Sequence, residues 1–204
     1  MKMVENLLKK KVDTLDLDVK TFLDLICDQM QYGGTKYKAD ASGRESTDIL
    51  FQVYGHKWLY GTISKYCKRI LNLKRERDAL KICTYLYLIW LKRGFWVLKE
   101  GIDSPALYTN VDVKVNNFSK FCYPIVKDIR ESKKQITANR ELCLKEIEVA
   151  ESMLIDWSTK DFNNVTESEI YRMFMLVLNY WLREFPNKGQ DKDTWNELTS
   201  KEGK

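Results

Sequence analysis

Glycine and proline are scarce, with 9 and 3 in 204 residues. That excludes a sandwich built on many tight turns, a collagen-like repeat and a linker-dominated chain. Histidine is scarcer: there is only His56, and no C-x-x-C pair joins any of Cys27, Cys67, Cys83, Cys122 and Cys143. Zinc sites of common spacing therefore have no ligand set to draw on. Five is an odd number of cysteines, and all five fall in apolar helical patterns, so they read as buried thiols of a reducing compartment. Long apolar runs are also missing. The longest, ICTYLYLIWL and MFMLVLNYWL, have ten residues each, against about twenty for a membrane span. The opening MKMVENLLKKKVDTLDLD mixes both charges and does not read as a secretory signal. The expectation is a cytoplasmic protein with no membrane partner.

What is plentiful is Leu, Lys and Glu, the strong helix formers. Hydrophobic residues at 44% and charged residues at 31% describe a folded chain. The fold class predicted is all-α, a multi-helix bundle with a short extended connector near 105–116. There Val111, Val113 and Val115 alternate with Asp112 and Lys114. Helical periodicity places Phe22, Leu25, Ile26 and Met30 on one face, with Asp18 as N-cap and Asp24 and Asp28 on a solvated face. A long helix is predicted from Ser46 or Thr47 to about Asn72, weakened at Gly55 and Gly61. A turn then leads to an antiparallel helix closed by Gly94. In the second half, Pro124 bends or interrupts a helix starting at Phe118, and Thr137 opens another that runs to about Trp157. Thr166 and Glu169 form a T-x-x-E capping box for a helix that stops at Pro186. No repeat of fixed period is apparent, although the apolar helices around Leu86 and Leu176 occupy similar places in their halves. Three parts follow: a basic helical half at 1–101, a second helical half at 102–186 packing on the first, and a polar tail at 187–204.

Charge is segregated. The overall +5 conceals a block from His56 to Lys99 in which 11 cations face only Glu76 and Asp78, for +9. The segment Glu141 to Glu169 carries eight acids against Lys145 and Lys160, for −6. A density of +9 in 44 residues exceeds what solubility needs and costs self-repulsion, so an anionic partner is the natural relief. Lys65, Lys68 and Arg69 share a helix face; Arg75, Arg77 and Lys81 lie just beyond the turn. These six are the candidates for contacts with nucleic acid, a nucleoprotein complex or an acidic protein. Trp58, Tyr60, Tyr66 and Tyr85 are interleaved with them and can either fill the core or stack on bases. The acidic segment can meet the basic one within a chain or, in a homo-oligomer, between chains.

Motifs for catalysis are missing. There is no G-x-S-x-G, no G-x-x-x-x-G-K-[ST] and no G-x-G-x-x-G, and His56 has no nucleophile at motif spacing. The one acidic constellation is Glu45, Asp48, Glu76 and Asp78. Carboxylates on paired helices can hold Mg²⁺, which activates water against phosphate esters. Equally, Glu45 and Asp48 suit a helix N-terminus, and Asp78 suits pairing with Arg75, Arg77 and Lys81.

Three stretches resemble the MazG-like all-α nucleotide pyrophosphatases: YGGTKYK at 32–38, FQVYGHKWLYGTISKYCKRI at 51–70 and RDALKICTYLYLIWLKR at 77–93. The resemblance spans roughly residues 31–93. It implies a helical bundle and, in an intact member, Mg²⁺-dependent hydrolysis of nucleoside triphosphates. Where the family's D-K-x-x-R-L aspartate falls, this chain has Lys65; at the second carboxylate of the next helix it has Lys81 or Ile82. Only Asp78 carries over, and a lysine brings positive charge to the place of the metal. The expected function is therefore non-catalytic docking of the basic face, without a cofactor. A Mg²⁺-dependent pyrophosphatase and a viral or mobile-element inhibitor or adaptor are the alternatives.

Overall fold

The computed structural model describes residues 18–30, 46–95, 117–118, 120–127 and 143–185. Every regular element among them is helical. The connector near 105–116, Thr137, the tail at 187–204 and Glu45 lie outside the described residues. Seven α-helices are named here in chain order: α1 (18–30), α2 (Ser46–Tyr54), α3 (His56–Leu73), α4 (Glu76–Lys92), α5 (120–127), α6 (Cys143–Thr159) and α7 (Glu167–Glu184). A 3₁₀ turn, Phe162–Asn164, lies between α6 and α7.

Where the sequence predicts one helix from Ser46 to Asn72, the structure has two. The break is at Gly55, whose φ of 66° and ψ of −162° belong to a region essentially closed to other residues. Gly61, the other weak point, stays inside α3. Beyond Gly55, α3 buries Leu59, Tyr60, Ile63, Tyr66, Cys67 and Ile70, the i, i+3/i+4 stripe of an amphipathic helix. It ends at Lys74 in the left-handed conformation, whose N–H donates to the Ile70 carbonyl at 2.9 Å. Arg75 then takes extended geometry and starts α4. Gly94, at φ 73°, follows α4 as expected for a C-terminal glycine.

α3 and α4 form one antiparallel hairpin and α6 and α7 another, and the hairpins pack side by side, α3 on α6 and α4 on α7. This four-helix core explains why α4 is largely buried: it meets α3 and α7, and α5 sets Phe121 against its Tyr87 and Trp90. Phe22 of α1 lies 4.7 Å from Trp181 and 6.0 Å from Phe174. Phe121 of α5 lies 5.2 to 5.6 Å from Tyr87, Trp90, Tyr171 and Phe174. Pro124 sits within α5 without ending it before residue 127. Trp90, Trp157 and Trp181 are fully buried, and each such side chain contributes about 1.5–3 kcal/mol or more by burial.

The two hairpins repeat one another. Trp90 donates its indole N–H to Glu167 at 2.7 Å, and Trp181 donates to Glu76 at 2.8 Å. Each bond joins the C-terminal end of one central helix to the first residue of its antiparallel neighbour. The same offset of 91 positions (167 less 76) relates Glu76 to Glu167, Asp78 to Glu169 and Trp90 to Trp181. Every buried residue of α7, from Ile170 to Trp181, has a buried counterpart in α4 at that offset. The repeat shows no fixed period in the sequence because the turn between α3 and α4 is shorter than the link from α6 to α7, so the outer helices run at a different offset.

Candidate functional site

The seam between α3 and α4 gathers most of the predicted binding residues. Trp58, Thr62, Tyr66 and Arg69 recur at helical spacing along α3. Asp78, Lys81 and Tyr85 recur along α4 and, because the hairpin is antiparallel, meet them in reverse order. At one end the Trp58 and Tyr85 rings meet edge to face at 5.8 Å, both partly exposed. In the middle Tyr85 stacks on Tyr66, with centroids 6.0 Å apart and planes at 23°. At the other end three cations surround the Tyr66 ring: Lys81 at 5.3 Å, Arg69 at 5.6 Å and Lys65 at 5.9 Å from its centroid. The negative face of a tyrosine ring holds such cations at about 0.5–1 kcal/mol each where water reaches them.

Beneath the cations lies Asp78, 1% exposed. The Arg69 Nε is 3.2 Å from its Oδ2, the hairpin's internal ion pair. Burial pushes the Asp78 carboxyl above the usual range, while Arg69, Lys81, Arg75 and Arg77 pull it back. Four of the six candidate cations thus converge on one carboxylate. The sequence suggests Arg75, Arg77 and Lys81 as its partners, but the ion pair comes from Arg69 across the turn.

Lys68 leaves this group. It shares the α3 face with Lys65, yet its amine lies 3.7 Å from Glu151 of α6, which also accepts from the Ser64 hydroxyl at 3.2 Å. Lys74 reaches Glu184 of α7 at 3.9 Å. The acidic second half therefore meets part of the basic block inside a single chain. Arg93 is likewise engaged, donating to the Val165 carbonyl at 3.0 Å and the Asn163 carbonyl at 2.7 Å. Among the described cations of this block, Lys57, Lys65, Lys68, Lys74 and Arg75 are exposed, and Arg69, Arg77 and Lys81 are half-buried beside Tyr66 and Asp78.

Of the alternative metal set, Asp48 lies apart from Glu76 and Asp78, and Glu45 is outside the described residues. Asp48 is buried and accepts from Lys92 at the C-terminal end of α4. Glu76 and Asp78 are at the other end of that 17-residue helix, about 25 Å away. Glu76 is fully buried and accepts from Trp181. Among the described residues no three of His, Cys, Asp and Glu come together as a metal site would require.

His56 stacks on Phe162 at 5.1 Å with planes 14° apart. Burial and then Lys57 lower its pKa, against Asp161. Burial raises the thiol pKa of Cys67 to about 12 and of Cys27 to about 11, and these groups remain protonated and unreactive. The feature missed at the level of sequence is the ordered run from aromatic to cationic along one seam. Its signal was present in the spacing 58, 62, 66, 69 against 78, 81, 85, once the two helices are set antiparallel.

No family model, curated protein or solved structure matches this chain.

Proposed function

We propose that this chain is a non-catalytic helical binding protein whose basic face docks on nucleic acid, alone or within a nucleoprotein complex. The observation that carries the reading is the convergence of Lys65, Arg69 and Lys81 on the Tyr66 ring, with Arg75 and Arg77 beside them around Asp78. Four cations drawn to one carboxylate, with Lys65 beside them on the Tyr66 ring, leave the spot strongly positive, and phosphate oxygens are the ligand chemistry that such a surface attracts. The aromatic rings hold the cations in place, so less side-chain freedom is lost on binding.

The test is fluorescence anisotropy of the full chain with labelled DNA and RNA over a range of salt. Affinity is expected to fall linearly on a logarithmic plot. Lys65→Ala and Lys81→Ala should each lower the slope by about 0.7–0.9. Lys145→Ala, on the outer face of α6, should leave it unchanged. Absence of binding at low salt, or a slope indifferent to Lys65 and Lys81, rejects the reading.

A further inference from the structure

The repeat supplies an internal comparison. Both hairpins must bury the same kind of core, so the second shows what packing alone demands at each place. Buried positions align α3 with α6 at an offset of 87 (147 less 60): Tyr60 with Ile147, Ile63 with Ala150, Cys67 with Leu154 and Ile70 with Trp157. At that offset Trp58, Lys65 and Tyr66 correspond to Lys145, Ser152 and Met153. On the central helices Lys81 and Tyr85 correspond to Arg172 and Leu176. Met153 and Leu176 pack on the core as Tyr66 and Tyr85 do. Aliphatic side chains therefore satisfy the architecture, and the three aromatic rings and the added lysine of the first seam exceed it.

The order of that excess is informative. The aromatic end is Trp58 and Tyr85, both partly exposed; the cationic end is Lys65, Arg69 and Lys81 around Tyr66. From Trp58 to Tyr66 the helix advances about 12 Å. A duplex keeps its base faces stacked inside and offers phosphates and groove edges, so it would leave the aromatic end no face to stack on. A single strand presents both base faces and phosphates, and aromatic platforms beside cations are what such strands bind.

We infer that the α3–α4 seam takes single-stranded nucleic acid, with bases stacking at Trp58 and Tyr85 and phosphates held by Lys65, Arg69 and Lys81. This inference rests on the nucleic-acid reading above and narrows it. The proposed test measures binding of the full chain to labelled oligothymidylate, to the matching duplex and to free nucleoside triphosphate. The single strand should bind tightest. Trp58→Ala should weaken single-strand binding about 5- to 150-fold, the range for loss of one stacked base, with the salt slope and duplex binding unchanged. Trp58→Phe keeps a ring for packing. Subtracting its titration from the wild type should isolate a quenched Trp58 signal on adding the single strand. Arg172→Ala, on the equivalent seam, should change nothing. Duplex binding equal to or tighter than single-strand binding, displacement by triphosphate at comparable concentration, or no Trp58 quenching would overturn the inference while leaving nucleic-acid binding intact. No binding to any of the probes would remove both.

Discussion

Gly55 is a single residue that decides where α3 begins. A methyl group added there would meet nothing within 4 Å, so space is no objection. Its backbone angles are the objection. Gly55→Ala should cost about 1–3 kcal/mol of stability through conformation alone, seen as a lower urea midpoint with an unchanged m-value. Gly61→Ala, at a helical position with equally open surroundings, should instead stabilise by about 1 kcal/mol. The contrast separates strain from crowding. Two glycines with the same sequence signature thus have opposite roles, and only backbone geometry distinguishes them.

At the scale of the element, the start of α7 is held by the capping box that its sequence announces. The Thr166 N–H donates to Glu169 at 2.8 Å, and the Glu169 N–H donates to the Thr166 hydroxyl at 3.3 Å. Burial alone would push the Glu169 carboxyl up. Hydrogen bonds from the Thr166 backbone and hydroxyl and from Lys160 reverse this and hold it at about 2, down from 4.5. A folded pKa below the unfolded one means that this stabilisation is complete above 4.5 and is lost as pH falls from there towards 2. Thr166→Ala should cost about 1 kcal/mol near neutral pH. The stability gap between wild type and Glu169→Gln should close over that acid window in urea titrations. Asp78 has the opposite sign: its raised pKa favours the folded state at low pH and works against it as the carboxylate ionises. The two N-terminal acids of the repeated helices, equivalent in position, therefore titrate in opposing directions because one is buried and the other is hydrogen-bonded near the surface.

For the whole molecule, the reciprocal indole–carboxylate bonds tie the hairpins together at both ends of the central pair. They are unequal. Glu167 also accepts from the Tyr171 hydroxyl at 2.6 Å, whereas Glu76 is fully buried. Trp181→Phe and Trp90→Phe remove similar volume, so the difference between them isolates the hydrogen bond. Trp181→Phe should be the more damaging, by about 1 kcal/mol, because Glu76 is fully buried whereas water reaches Glu167, measured by urea unfolding. The same scale shows acids of the second hairpin set against part of the basic block. Ion pairs to Glu151 and Glu184 draw Lys68 and Lys74 towards the second hairpin.

Most helix positions, the Thr166–Glu169 cap, the Gly94 stop and the burial of Cys67, Cys83 and Cys122, though not of the half-buried Cys27, were readable from the chain itself, because periodicity, capping chemistry and turn residues act over a few neighbours. The all-α class followed from the same local signals. Pairing did not. Asp78 with Arg69, Asp48 with Lys92 and the indoles with their carboxylates join residues that carry no mark of their partners until the helices are packed. The 91-position repeat was likewise present in the letters but hidden by unequal links between helices. Local sequence determined which segments coil and which of their faces are apolar; tertiary packing decided which charges neutralise one another and which gather beside an aromatic seam, because Coulombic and ring contacts depend on distances that only the packed bundle sets.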